Sequence, residues 1–258
     1  MTVADVAWLL PPAAALAAAC VLLAPLGRQV LARGVVFIDL AVAQVAACGV
    51  LVLALREEHP PLWLTGIGAA AAALLGAALV WWLARRWPAQ REALIGLVYV
   101  AGAGLSVVAA GFDPHGRERL AALLAADVLW APPSSALVLA GAAAIVLAIA
   151  RRGVLGRDAV FYPVFALALS AAVPVLGLYL VFALLIAPAL WCRRGAALSV
   201  SIVLALAACA AGMGLSWGLD LPSGASVAVA LCLLGLGAAF SPRQATCDAQ
   251  DTPAPGRN

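Results

Sequence analysis

Strongly polar side chains are scarce in this chain, and the few inside apolar surroundings are the first candidates for chemistry. Asp39 and Gln44 sit in a run, Gly34 to Gly49, whose other members are all apolar or small. Asp127 and Asp158 stand at the edges of two further apolar runs. A carboxylate at membrane depth costs about 2.5–3.5 kcal/mol on insertion scales, so it marks an ion or proton path by default. The competing readings are structural. Asp39 could snorkel or pair with arginine, and Gln44 could hydrogen-bond a neighbouring helix. At 100° per residue Asp39 and Gln44 point ~140° apart, whereas Gln44 and Cys48 share a face. His59, with Glu57 and Glu58, and His115, with Asp113 and Glu118, lie in polar segments where they could meet an arriving cation. One histidine per loop reads equally well as a solvated group. Glu92, close to Arg86 and Arg91, is expected to be a solvated loop charge.

The elements that must position these residues follow from composition. Of 258 residues 66% are hydrophobic and 10% charged, with a mean hydropathy of +1.09. Too few polar groups exist to coat a water-soluble fold. A soluble enzyme, a nucleic-acid module and a disordered scaffold are excluded together. All fifteen basic residues are arginine, and a Walker A loop needs a lysine for the nucleotide phosphates. The six cysteines form no CxxC pair and read as small apolar packing residues.

Apolar runs fall at about 6–26, 35–55, 62–84, 93–111, 134–150, 159–176, 177–192, 198–218 and 223–240. Each must be a helix, because an isolated strand would leave its backbone unpaired in hydrocarbon. The expected fold is an all-α, polytopic transmembrane bundle of about nine crossings, or eight plus a re-entrant hairpin. The first run, with Asp5 and no basic residues before it, reads as a retained span. Taking that span outside to inside puts twelve arginines on inner segments and three on outer ones. The N-terminus is therefore expected outside and the C-terminus inside. Pro174 and Gly177 divide Ala159–Cys192 into two short helices joined at the outer side. Arg117 to Trp130 is expected to lie as one amphipathic helix at the outer interface. Residues 1–240 form the membrane domain, and 241–258 are expected to be a disordered cytoplasmic tail.

Between two spans the inner segment Arg151-Arg152-Gly153-Val154-Leu155-Gly156-Arg157-Asp158 is basic and interrupted by glycine. It could be a handle for a cytoplasmic partner or only a topology signal. Glycine pairs recur at Gly66/Gly68, Gly102/Gly104, Gly212/Gly214 and Gly235/Gly237, where small residues let helices approach closely.

Several segments together resemble the permease subunits of bacterial ATP-binding-cassette importers for zinc and manganese. The resemblance covers about Leu10 to Phe240. It is carried by the second apolar run with Asp39 and Gln44, by Gln90-Arg-Glu92-Ala-Leu-Ile-Gly96, and by Asp113-Pro-His115 through Asp127-Val-Leu-Trp130. Gly177-Leu-Tyr-Leu-Val-Phe-Ala-Leu-Leu-Ile-Ala-Pro188 and Asp220-Leu-Pro-Ser223-Gly complete it, in the family's order. Many members place Asp and His four apart in the second span, where this chain has Leu40 and Gln44.

The resemblance implies a homodimer in a bacterial inner membrane, two cytoplasmic ATPase chains and an extracytoplasmic metal-binding protein. It implies no bound cofactor and no catalysis on this chain, with ATP used by the partner and a divalent ion as cargo. Nucleic acid has no place in it, and the surrounding partner is lipid. Arg151, Arg152, Gly156, Arg157 and Asp158 would lie in the segment that receives the ATPase. His115 and Glu118 would lie where the binding protein docks, and Asp39, Gln44 and Asp127 along the path. An ion- or proton-coupled secondary transporter, and an ABC permease for a metal chelate, are the alternatives. An intramembrane enzyme would need histidine or other convergent groups at depth, and no span contains a histidine.

Overall fold

The computed structural model describes residues 9–35, 37–55 and 61–241. Among the described residues the chain forms ten α-helices, short 3₁₀ turns and no strand. They are α1 (Leu10–Arg33), α2 (Ile38–Ala54), α3 (Leu62–Arg86), α4 (Arg91–Gly111), α5 (Gly116–Leu124), α6 (Pro133–Arg151), α7 (Asp158–Leu176), α8 (Leu178–Arg193), α9 (Leu198–Leu219) and α10 (Ser223–Phe240). Seven are long and apolar enough to cross a membrane, and α2 and α8 are shorter apolar helices. With the brief α5 set aside, the expected nine apolar helices are present. This is a multi-pass membrane protein.

Helices α1, α2, α7 and α8 carry most of the buried residues, including the Phe161 and Phe165 rings and Leu22, Leu23 and Leu26. Helix α1 packs on α6, α8 and α9, while α2 lies between α3 and α4. Helices α4, α6 and α9 leave Val100, Leu137, Ile145 and Val203 exposed, as expected of surfaces that meet lipid and not water. Gly27 of α1 lies so close to the Leu185 backbone of α8 that a Cβ there would overlap it. That contact draws two central helices together.

Three expectations need correction. The first span is not 6–26 but Leu10–Arg33, a helix that holds Pro25 inside it and ends on an αL Gly34. It runs on past Arg28 because long arginine stems bury carbon while the heads reach the interface. Arg117–Trp130 is not one helix either. Helix α5 stops at Leu124, Ala125–Asp127 carries no helix, and Val128–Trp130 is a 3₁₀ turn. The reason is tertiary: this strip packs against Gly177 at the α7–α8 break and Gly224 at the start of α10, where any Cβ would collide with the Ala126 backbone. Finally, in three of the four glycine pairs only one member meets a neighbouring helix. Gly102 and Gly212 touch a neighbouring helix, whereas Gly66, Gly104 and Gly214 face open space. Residues two apart on a helix point ~200° away from each other.

The break itself is as expected. Helix α7 contains Pro163 and Pro174, and Gly177 alone, at φ 76° and ψ 158°, separates it from α8. His59, Asp5, Cys247 and the segment 242–258 lie outside the described residues.

Candidate transport path and its inner linkage

Asp39 and Gln44 are both buried, at 2% and 3% exposure, in the middle helix of the α3–α2–α4 layer. One Asp39 oxygen accepts the Leu40 N–H at 2.9 Å, and Oδ2 has no partner. Gln44 packs against Gly102 of α4, where a Cβ would lie 3.2 Å from its own Cβ, and its Oε1 has no partner.

Glu92 is the residue that sequence reasoning misplaced. It is not a solvated loop charge: it stands in the first turn of α4 with both carboxylate oxygens shielded and unpartnered. Its helical face continues through Ile95 and Tyr99 to Gly102, the glycine against Gln44. The signal that could have found it is that spacing of three, four and three residues. Of the five shielded side-chain atoms without a partner among the described residues, four are oxygens of Asp39, Gln44 and Glu92. A shielded acceptor without a donor costs about 1–3 kcal/mol. Gln44 stands level with Gly102, ~15 Å along α4 from the turn that holds Glu92, so these residues are spread along the helix pair and not gathered at one point.

The other candidates are not brought together with these. Asp127 lies at the outer end, where it accepts the Ser223 hydroxyl and, at 3.3 Å, the Leu129 N–H. His115 and Glu118 are exposed at the start of α5. The Asp113 carboxylate accepts the His115 backbone N–H at 2.9 Å and pairs with Arg119 at 2.8 Å. A cavity of about 310 Å³ opens there, lined by Ala54, Leu55, Asp113, His115 and Arg119. Among the described residues no group of three or more histidine, cysteine, aspartate or glutamate side chains is placed to hold an ion. Cys48 is half-buried, and Cys20 and Cys209 touch at 3.8 Å between α1 and α9 as packing groups.

At the inner end Arg33, the last residue of α1, gathers the segment between α6 and α7. Its Nη2 donates to the Gly156 carbonyl at 2.8 Å and the Leu155 carbonyl at 3.3 Å. Nη1 donates to the Gln29 side chain and carbonyl, and Nε to Asp158. All five guanidinium donors are thus used, and the plane lies 4.0 Å over the Phe161 ring. Leu155 is buried below, while Arg151, Arg152 and Arg157 stay exposed around it. The segment is thus a short 3₁₀ turn (Val154–Gly156), entered through an αL Gly153 and locked to the first helix.

The sequence matches the ABC 3 transport family over residues 7–152 and 154–241. The chain belongs to that family. It is a zinc/manganese-type permease, a transport membrane subunit of an ABC transporter. Among solved structures it is similar to the one described as PsaBC from Streptococcus pneumoniae in complex with Fab. The two share 17% identity and a TM-score of 0.73, with 92% of each chain covered, a likeness of fold. No curated protein sequence matches it.

Proposed function

We propose that the permease belongs to an ATP-driven, binding-protein-dependent importer of divalent transition-metal ions, zinc or manganese, in a bacterial inner membrane. The observation that carries this reading is the set of donor-free oxygens on Asp39, Gln44 and Glu92. A cation passing along α2 would meet Gln44 on the face toward α4 and Asp39 on another face of the same helix, and weak, separate contacts are what conduction needs, since the ion has to leave. Oxygen-only ligands favour manganese over zinc, which is better held by imidazole or thiolate. The permease works as a homodimer by alternating access, with ATP hydrolysed on separate cytoplasmic chains. A loaded metal-binding protein docks on the outer surface around His115 and Glu118. The ATPase pushes on Arg151, Arg152, Gly156, Arg157 and Asp158, and Arg33 passes that motion to α1 and, through Gly34, to α2. Pro174 and Gly177 give the α7–α8 hairpin its hinge. Asp127 belongs to the outer framework through Ser223.

The deciding experiment is purification in mild detergent followed by ATP-dependent uptake of labelled manganese and zinc in reconstituted vesicles. Co-purification of an ATPase and ATP-dependent uptake are expected. Uptake that persists without ATP and collapses with the proton gradient would instead favour a secondary transporter, with the buried Asp39 as its titrating group.

A further inference from the structure

The inner ends of α8 and α10 enclose a cavity of about 450 Å³ lined by Leu190, Arg193, Arg194, Gly235, Ala238 and Ala239. Arg194 is committed: it donates to the Ala239 carbonyl at 3.0 Å and the Ser241 carbonyl at 3.3 Å, so it quenches the negative end of α10. Arg193 makes no hydrogen bond or ion pair among the described residues, and no acidic residue lines the cavity. Nor does a counter-charge come from the helices around it. From Arg193 to Ser241 the sole acidic residue is Asp220, at the far end of α9. On α1, which packs against α8, the charges at this end are Arg28 and Arg33, the latter already paired with Asp158.

The two arginines share the cavity wall with Leu190 and three small residues, and one face of α10 beside it is not covered. Val229, Leu233, Leu236 and Phe240 are 57–89% exposed and form one stripe along the helix. Trp191 ties α8 to α10 by donating its indole N–H to the Leu234 carbonyl at 3.0 Å. An unpaired guanidinium at the inner membrane surface, a pocket above it and an apolar stripe leading into the bilayer match one chemistry: a phosphate carried on acyl chains.

We infer that this cavity holds the phosphate of an anionic phospholipid, with Arg193 as its ligand and the α10 stripe against its acyl chains. Charge complementarity selects this occupant, because juxtamembrane arginines attract anionic lipid by about 1 kcal/mol each. A guanidinium also forms paired hydrogen bonds with phosphate oxygens.

The test uses the full-length chain, delipidated in detergent, with bound lipid counted by native mass spectrometry and stability followed by thermal unfolding. Phosphatidylglycerol is expected to bind in preference to phosphatidylcholine and to raise the unfolding temperature. Arg193→Gln should lower phosphatidylglycerol affinity about fivefold, the equivalent of ~1 kcal/mol per arginine, with unfolding in phosphatidylcholine unchanged. Arg193→Lys should retain most of the preference, and Arg28→Gln, which removes an inner charge elsewhere, should retain all of it. Equal binding of the two lipids, or an undiminished preference in Arg193→Gln, overturns the inference. Equal stabilisation by inorganic phosphate overturns the lipid source. Phosphatidylglycerol preference that is absent in the full chain and appears only on removing residues 242–258, which include Asp248 and Asp251, overturns it in favour of the chain's own C-terminal segment.

Discussion

Asp158 accepts the Nε–H of Arg33 at 3.3 Å across 125 residues of chain, which ties the end of the first helix to the start of the seventh. The pair itself is a small part of the link. Asp158 is 55% exposed in its side chain, and exposed ion pairs contribute about 0–1 kcal/mol. The larger part is the grip of Arg33 on the Leu155 and Gly156 carbonyls and on the Phe161 ring.

Arg33→Ala is therefore expected to cost about 1–3 kcal/mol in thermal unfolding, and Asp158→Asn less than about 1 kcal/mol. Arg33→Lys should recover only part of the loss, since an ammonium has three donors and no plane to stack. In vesicles with the partner ATPase, Arg33→Ala should lower metal uptake per ATP hydrolysed. An unchanged ratio would remove Arg33 from the coupling route.

Gln44→Leu carries an unusual signature. Replacing an unpartnered buried amide by an apolar side chain of similar size should leave stability unchanged or raise it by up to about 1 kcal/mol, while metal uptake falls severalfold. Asp39→Ala should likewise reduce uptake with assembly intact. Unaltered uptake in both variants would take these residues out of the path. Conversely, Gln44→His should shift preference toward zinc, because imidazole is the stronger zinc ligand, as competition between labelled zinc and manganese would register.

Gly177→Ala should destabilise strongly. At φ 76° and ψ 158° a side chain costs about 1–3 kcal/mol in backbone strain alone. The Cβ would also collide with the Ala125–Ala126 backbone. A fall in unfolding temperature and in yield is expected, and a wild-type melting curve would refute the packed hinge.

Asp127→Ala and Ser223→Ala should behave as one lesion. Each breaks the same bond, so the double variant should lose little more than either single one, with a coupling energy of about 0.5–3 kcal/mol. Metal affinity in uptake should stay at the wild-type level. Purely additive losses would mean that Asp127 works apart from Ser223.

The class of the fold and the direction of threading were legible without coordinates, because lipid imposes them locally. A run of apolar residues has to become a helix, and arginines resist crossing, so neither inference needs to know which helices touch. The α7–α8 break at Gly177 was legible for the same reason: proline and glycine act on their own backbone. Asp39 and Gln44 stood out as polar residues in an apolar run. What only the tertiary structure decided was every relation between distant segments. Glu92 looked solvated among arginines until α4 placed it on the face that meets Gln44. The apparent helix from Arg117 to Trp130 yielded to the contact of Ala126 with Gly177 and Gly224. Arg33 was counted among the inner arginines, yet three of its five donors reach a segment more than a hundred residues away. Helical periodicity reports which face a residue occupies, but the neighbour of that face is set by packing, and packing is not written in local order.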